Sequence, residues 1–220
     1  MKLQKIFCSF GIISVIAFAL QEIFGIVLYR GYNAIAYYES VLIAGDAPYY
    51  NILEPFIYAY RGCFLIFILT MCVISFRQCH LCVRIGYLLL LIMAVLSAAG
   101  LSAFPLTIEN FWSTQNLIHV LITVAIFSDP IVAIFLLAIG YGKQGSQRWL
   151  GRFCFGFGIL FVALNILHLV GILYAMSVLG LLQRLIIYSF QLFTFLLSWK
   201  YLFYKKRNRI NYYRKPARSY

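Results

Sequence analysis

Apolar residues run along this chain in six long stretches, broken by short polar segments. A helix that crosses a bilayer needs about 20 mostly apolar residues, because the hydrocarbon core is about 30 Å thick and a helix rises about 1.5 Å per residue. Six windows meet that need, at roughly 6–28, 56–76, 85–105, 115–140, 153–176 and 180–203. The pattern predicts an all-α fold, a six-helix transmembrane bundle over 1–203 followed by a basic tail over 204–220. Between the windows lie a long loop (29–55), a basic turn (77–84), a short acidic loop (106–114), a second basic turn (141–152) and a tight turn near Ser177. The long loop carries tyrosines at 29, 32, 37, 38, 49 and 50. Tyrosine favours the headgroup level, so this loop is expected on the outer membrane surface, partly helical around 34–44, with a turn at Gly45-Asp46-Ala47-Pro48.

Composition narrows the class. The 220 residues are 64% hydrophobic and 11% charged, with a mean hydropathy of +0.90; a soluble domain is about half apolar and a quarter charged. A globule of this make-up lacks the polar surface to cover itself. That excludes a soluble enzyme, a disordered chain and a disulfide scaffold.

Charge then gives orientation. Eighteen Lys+Arg against six Asp+Glu give a net +12, with Lys200, Lys205, Lys206, Arg207, Arg209, Arg214, Lys215 and Arg218 crowded at the end. No base-stacking or groove-reading module accompanies them, so nucleic acid is not an expected partner and anionic lipid at the tail is. Lys2, Lys5, Arg77, Arg84, Lys143, Arg148 and Arg152 lie in segments without an acid, whereas the opposite loops hold Glu39, Asp46, Glu54 and Glu109 with Arg30 as their one cation. Basic segments stay cytoplasmic, which predicts a multi-pass protein of the cell membrane with N- and C-termini cytoplasmic. Lys2 and Lys5 before an apolar run with Ala17-Phe18-Ala19 resemble a signal peptide, but the run continues to Leu28, so an uncleaved first helix is expected.

The cysteines imply neither a disulfide nor a metal. Cys8, Cys63, Cys72 and Cys154 fall in spans, and the outer loops contain none. Cys79-His80-Leu81-Cys82 is half of a zinc site, but no second Cys or His pair lies in a cytoplasmic segment. It reads as an interfacial turn, and no cofactor is expected.

Ionisable groups inside hydrocarbon are costly, so each is a candidate for function. Glu22, beside Gln21, lies about 24 Å up the first helix from its inner end. Arg61 sits one to two turns below the outer end of the second helix. His119 is one turn into the fourth, His168 about 22 Å up the fifth with Asn165 on the same face, and Arg184 one turn into the sixth. Although helix direction alternates, all fall in the outer third of the membrane. On the last helix Arg184, Tyr188, Gln191 and Ser198 form a polar stripe that should face the bundle interior. In one reading Glu22 neutralises Arg61 or Arg184, and the histidines only pair helices. In the other, Glu22, Arg61, His119, Asn165, His168 and Arg184 line a ligand pocket, and arginine forks take a carboxylate or phosphate. Arg184→Ala should then abolish binding and leave the fold intact. Asp129-Pro130 predicts a kink in the fourth span, and Ser97-Ala98-Ala99-Gly100-Leu101-Ser102-Ala103 a small-residue packing face.

Three segments carry a family resemblance: Phe104-Pro105 closing the third span with His119 opening the fourth, Gly180-Leu181-Leu182-Gln183-Arg184-Leu185 opening the last, and Ala47-Pro48-Tyr49-Tyr50-Asn51 before the second. The chain resembles the DUF998 membrane proteins in these. The resemblance implies a six-helix bundle of uncharacterised function, related in plan to the Frag1/DRAM/Sfk1 type linked to lipid handling. The longer basic tail and the tyrosine-rich loop depart from that pattern and leave room for a membrane-protein partner.

The expected function is binding of a lipid headgroup or small anion in a polar outer-leaflet pocket, with no catalysis demonstrated by the residues. The alternatives are a metal-dependent lipid-modifying hydrolase, with His119 and His168 as ligands and Glu22 as a third ligand or a base, and an accessory subunit of a larger membrane complex.

Overall fold

A computed structural model describes residues 2–110 and 112–203, so the expectations for the basic tail lie outside the described residues. In chain order the helices are α1 (Lys2–Leu28), α2 (Glu39–Leu42), α3 (Tyr50–Gln78), α4 (Leu81–Val95), α5 (Leu101–Ala103), α6 (Thr114–Gly142), α7 (Arg148–Leu173) and α8 (Leu179–Phe203). A π-helical stretch, Leu96–Gly100, joins α4 to α5, and the three together form the third span. Among the described residues six helices are long and apolar enough to cross a membrane. The fold is an all-α, multi-pass membrane bundle.

Short connections from α3 onward force consecutive spans antiparallel, and the spans close into a ring. α1 packs on α3, α3 on α4, α4 on α6, α6 on α7, α7 on α8, and α8 returns to α1. Outward faces carry aliphatic side chains such as Ile16, Leu121, Ile159 and Leu192, all exposed. The interior is aromatic: Phe64, Phe67, Phe161, Phe190 and Phe193 are buried, and Phe157 and Phe193 rings meet at 5.0 Å. Small residues set the closest approaches. A Cβ on Gly11 would stand 2.7 Å from the Ser198 Cβ, where the Ser198 hydroxyl donates to the Cys8 carbonyl at 2.5 Å. At the end of the bundle shared by the start of α1 and the end of α8, hydroxyls of Tyr87, Tyr141 and Tyr201 form a chain with spacings of 2.8 and 2.7 Å.

Local signals explain most boundaries. Ser113 caps α6 by accepting from the Asn116 N–H at 3.2 Å. In the Cys79-His80-Leu81-Cys82 turn, His80 Nδ1 accepts from the Cys82 N–H at 3.2 Å, so this histidine starts α4. α7 ends at Leu173, short of the expected 176, because Met176 N–H donates to Gly171 O and Ala175 N–H to Ile172 O, a Schellman stop with Ala175 at φ 47°. α3 starts at Tyr50, six residues before the expected 56, and runs through Pro55. Asn51 and Pro55 both lie on the exposed side there. The small-residue face of the third span becomes the π-helical stretch, a geometry frequent at functional sites.

The loop over 29–49 also differs from an interfacial surface loop. Leu42 and Ala44 are 1% and 0% exposed and Glu39 is buried, so α2 dips into the mouth of the ring. The adjacent turn is latched to the other loop at this end: the Asp46 carboxylate accepts from the N–H groups of Ile108 and Glu109 at 2.7 and 3.0 Å, and Gly45 N–H donates to Leu106 O at 2.9 Å.

Candidate functional site

The two arginines within the spans have different surroundings. Arg184, one turn into α8, is fully engaged. Its Nε donates to Glu22 Oε1 at 2.5 Å. Its Nη1 donates to the carbonyls of Ala34, Tyr37 and Gly180 at 2.7, 2.8 and 3.2 Å, and its Nη2 to the Tyr32 hydroxyl at 2.6 Å. Tyr32 in turn donates to the Tyr38 carbonyl at 2.8 Å, and burial pushes this phenol up to about 12. The loop reaches Arg184 because α8 begins with Gly180. A Cβ there would collide with the Tyr37 carbonyl oxygen and stand 2.7 Å from that of Ala34. Instead the N–H groups of Gly180 and Leu181, free at a helix start, donate to Ala36 O and Ile35 O at 3.3 and 2.9 Å. The Gly180-Leu181-Leu182-Gln183-Arg184 segment thus binds the loop over 32–38 to the bundle.

Arg61, on α3, has no such partner. It is 9% exposed, Nη1 donates to the Ser102 hydroxyl at 2.9 Å, and the one ion pair among the described residues is Glu22–Arg184. Ser102 meets it where the π-helical stretch gives way to α5. Arg61 lines a cavity of about 90 Å³ inside the ring, with Gln21, Glu39, His119, Gln183 and Gln191 among its polar walls and Met93, Ile126 and Phe161 among its apolar ones. A cavity of roughly 150 Å³ takes benzene, so this one admits a group the size of a carboxylate or phosphate and not a whole phospholipid headgroup. Glu39 is clamped at its edge: Gln21 Nε2 donates to its carboxylate at 2.6 Å, and its own N–H donates to Gln183 Oε1 at 2.7 Å. Burial, then the nearby Glu22 charge, push the Glu39 carboxyl up from 4.5 to about 7, against the pull of Arg61, Arg184 and the Gln21 hydrogen bond.

Of the six residues expected in one pocket, the structure therefore brings Arg61 and His119 to the cavity, the latter with Nδ1 2.9 Å from the Phe104 carbonyl. Glu22 and Arg184 pair with each other beside it, as the first of the two readings anticipates. His168 meets the Tyr38 ring edge-on at 5.9 Å, and its buried Nε2 lacks a hydrogen-bond partner. Asn165 donates to the Phe161 carbonyl of its own helix at 2.8 Å. Neither lines the cavity. Glu39 and Gln183 are the additions, and Glu39 is the one acid in a stretch flanked by Val41-Leu42-Ile43-Ala44, an apolar run that marks it as more than a surface loop. Among the described residues no three His, Cys, Asp or Glu side chains come together to hold a metal ion.

Comparison with known proteins supports the fold-level resemblance. Residues 12–200 match the family described as protein of unknown function (DUF998), and the chain belongs to that family. No curated protein and no solved structure matches it.

Proposed function

From membership of DUF998 and from the cavity at Arg61, we propose that this membrane protein binds a small anionic group, a carboxylate or phosphate borne by a lipid headgroup or free in solution. The observation that carries the reading is a buried guanidinium that faces a cavity with one neutral hydroxyl as its hydrogen-bond partner, beside a second guanidinium that Glu22 already neutralises. An arginine fork is suited to a planar or tetrahedral oxyanion, and a charge this buried gains from a counter-ion. The charge asymmetry of the loops turns the cavity end outward, to the outer leaflet, with both termini cytoplasmic. The reading includes the lipid-handling plan of the Frag1/DRAM/Sfk1 type.

The thermal midpoint of the purified protein tests it, with acetate or inorganic phosphate against chloride at equal ionic strength, and with phosphatidylglycerol against phosphatidylcholine in mixed micelles. A rise with the salts marks a free anion; a rise with the anionic lipid alone marks a headgroup. Arg61→Gln should remove the response, and Arg61→Lys should keep part of it because a point charge cannot reproduce the fork. No response from either source, or an equal one in Arg61→Gln, overturns the reading.

A further inference from the structure

A second opening lies on the lipid-facing side of the ring, between α1 and α8. This groove has a volume of about 400 Å³; Ala19, Ile23, Leu192 and Phe195 give it apolar walls, and Glu22, Tyr188 and Gln191 are its polar lining. Glu22 and Gln191 are more than nine-tenths buried, at 3% and 5% exposed, and each leaves one acceptor unused: Glu22 Oε2 and Gln191 Oε1 have no hydrogen-bond partner. The other halves of these side chains are committed. Glu22 Oε1 holds Arg184, and Gln191 stands against the Tyr60 hydroxyl. The Tyr188 hydroxyl interacts with the Glu22 carboxylate, but no hydrogen bond of good geometry reaches Oε2. Two desolvated acceptors without a well-formed hydrogen bond are costly. Tyr188 also lines the groove, but the two unused acceptors, Glu22 Oε2 and Gln191 Oε1, call for a ligand that donates.

Depth selects the ligand further. Glu22 is six residues from the end of α1 at Leu28, about 9 Å below it, and Gln191 is twelve residues past Leu179, about 18 Å below the same end of the bundle. Side chains lean toward the N-terminus of their own helix. On these two antiparallel helices they therefore lean toward each other. They meet beneath the phosphate level, where a charged headgroup is expensive to bring and a small neutral one is not. We infer that the α1–α8 groove binds a neutral lipid with a free hydroxyl headgroup, of the diacylglycerol type, whose hydroxyl donates to Glu22 Oε2 or Gln191 Oε1 while an acyl chain lies along Ala19, Ile23, Leu192 and Phe195.

Gln191 borders both openings, but the inference does not rest on the anion at Arg61, because its ligand carries no charge and its groove lies on the outer face of α1 and α8. The test is retention of 1,2-dioleoylglycerol against 1,2-dioleoyl-3-acetylglycerol, which has the same chains and no donor, on the full chain in neutral detergent, read by native mass spectrometry. The hydroxyl lipid should be retained about fivefold better, the scale of one net hydrogen bond. Gln191→Met should reduce that preference. Ala19→Trp, placed in the groove and away from the buried interior, should remove both lipids while the protein elutes as before. Equal retention of the two lipids, or Ala19→Trp with undiminished binding, overturns the inference. A lost phosphate response with the hydroxyl preference intact would strike the Arg61 reading and leave this one standing.

Discussion

Removing the Arg184 side chain is the most informative single perturbation, and its expected effect is the reverse of what depth along the helix suggests. Position alone presents Arg184 as a ligand residue that alanine could replace without harm to the fold. The structure gives it five hydrogen-bond acceptors, four of them in other segments: Glu22, Ala34, Tyr37 and Tyr32. Arg184→Leu strands the Glu22 carboxylate, which is 3% exposed, and breaking one side of a buried ion pair costs about 3–5 kcal/mol. It also releases the loop over 32–38. Heat unfolding in detergent should show a loss of that size. A cysteine at Ala44, 0% exposed in the intact protein, should become reactive to thiol reagents. Arg184→Lys should fall between, since one ammonium can meet Glu22 but not the carbonyls that approach from other directions. Pairing the change with Glu22→Leu removes the stranded charge, so the double variant should lose less than the sum, with a coupling of about 1–3 kcal/mol. Strict additivity, or an Arg184→Leu protein within about 0.5 kcal/mol of wild type, the range of a plain surface change, would refute the clamp.

Gly180→Ala tests the same junction sterically: forcing a methyl against the Tyr37 carbonyl should cost about 1–3 kcal/mol, read as a lowered unfolding midpoint. Glu39 predicts a pH dependence. With its carboxyl raised from 4.5 to about 7, the folded state holds a proton that the unfolded state releases, so stability is full at low pH and falls as pH rises from about 4.5 to 7, by something of order 1–3 kcal/mol; Glu39→Gln, which keeps the acceptor for Gln21, should flatten the slope of midpoint against pH. Orientation is checked by cysteines at Pro48 and Lys143 in intact cells: an impermeant maleimide should label the first and not the second, and equal labelling would reject the cytoplasmic termini.

The spans were legible because each apolar run is long enough to be nothing else, and their number and order follow from the composition of the runs and turns. Boundaries were legible only where chemistry marks them. The apolar window starts α6 at 115 although the Ser113 cap begins it earlier, Ala175 occupies a left-handed position without the glycine that would announce it, and Pro55 reads as a stop although α3 continues through it. The π-helical stretch has no signal beyond small residues, since its register depends on packing against α3 and α6. The Glu22–Arg184 pair was legible as one option of two, because shared depth names candidates without choosing between Arg61 and Arg184. What decides is the loop. Its carbonyls surround Arg184 and leave Arg61 to face the cavity, a tertiary arrangement that helical periodicity does not encode. Glu39 was hidden for the same reason: nothing local says that one turn of a connecting loop folds into the mouth of a ring.

Arg61 and Glu39 then set the charge of the cavity between them. With Glu39 protonated the Arg61 guanidinium is unbalanced; with Glu39 ionised, a carboxylate on the same cavity wall opposes any anion that approaches. A proton on Glu39 and an anion at Arg61 therefore favour each other, and linkage makes the effect reciprocal: the anion raises the affinity of Glu39 for its proton as much as the proton raises affinity for the anion. Because the Glu39 carboxyl titrates near 7, the exchange falls within ordinary cellular pH. Acetate, which is ionised throughout, should stabilise the protein more at pH 6 than at pH 8, and Glu39→Gln should bind it equally well at both. An acetate response that grows with pH would show that Glu39 does not share the cavity's charge, and would separate the Arg61 site from the loop that covers it.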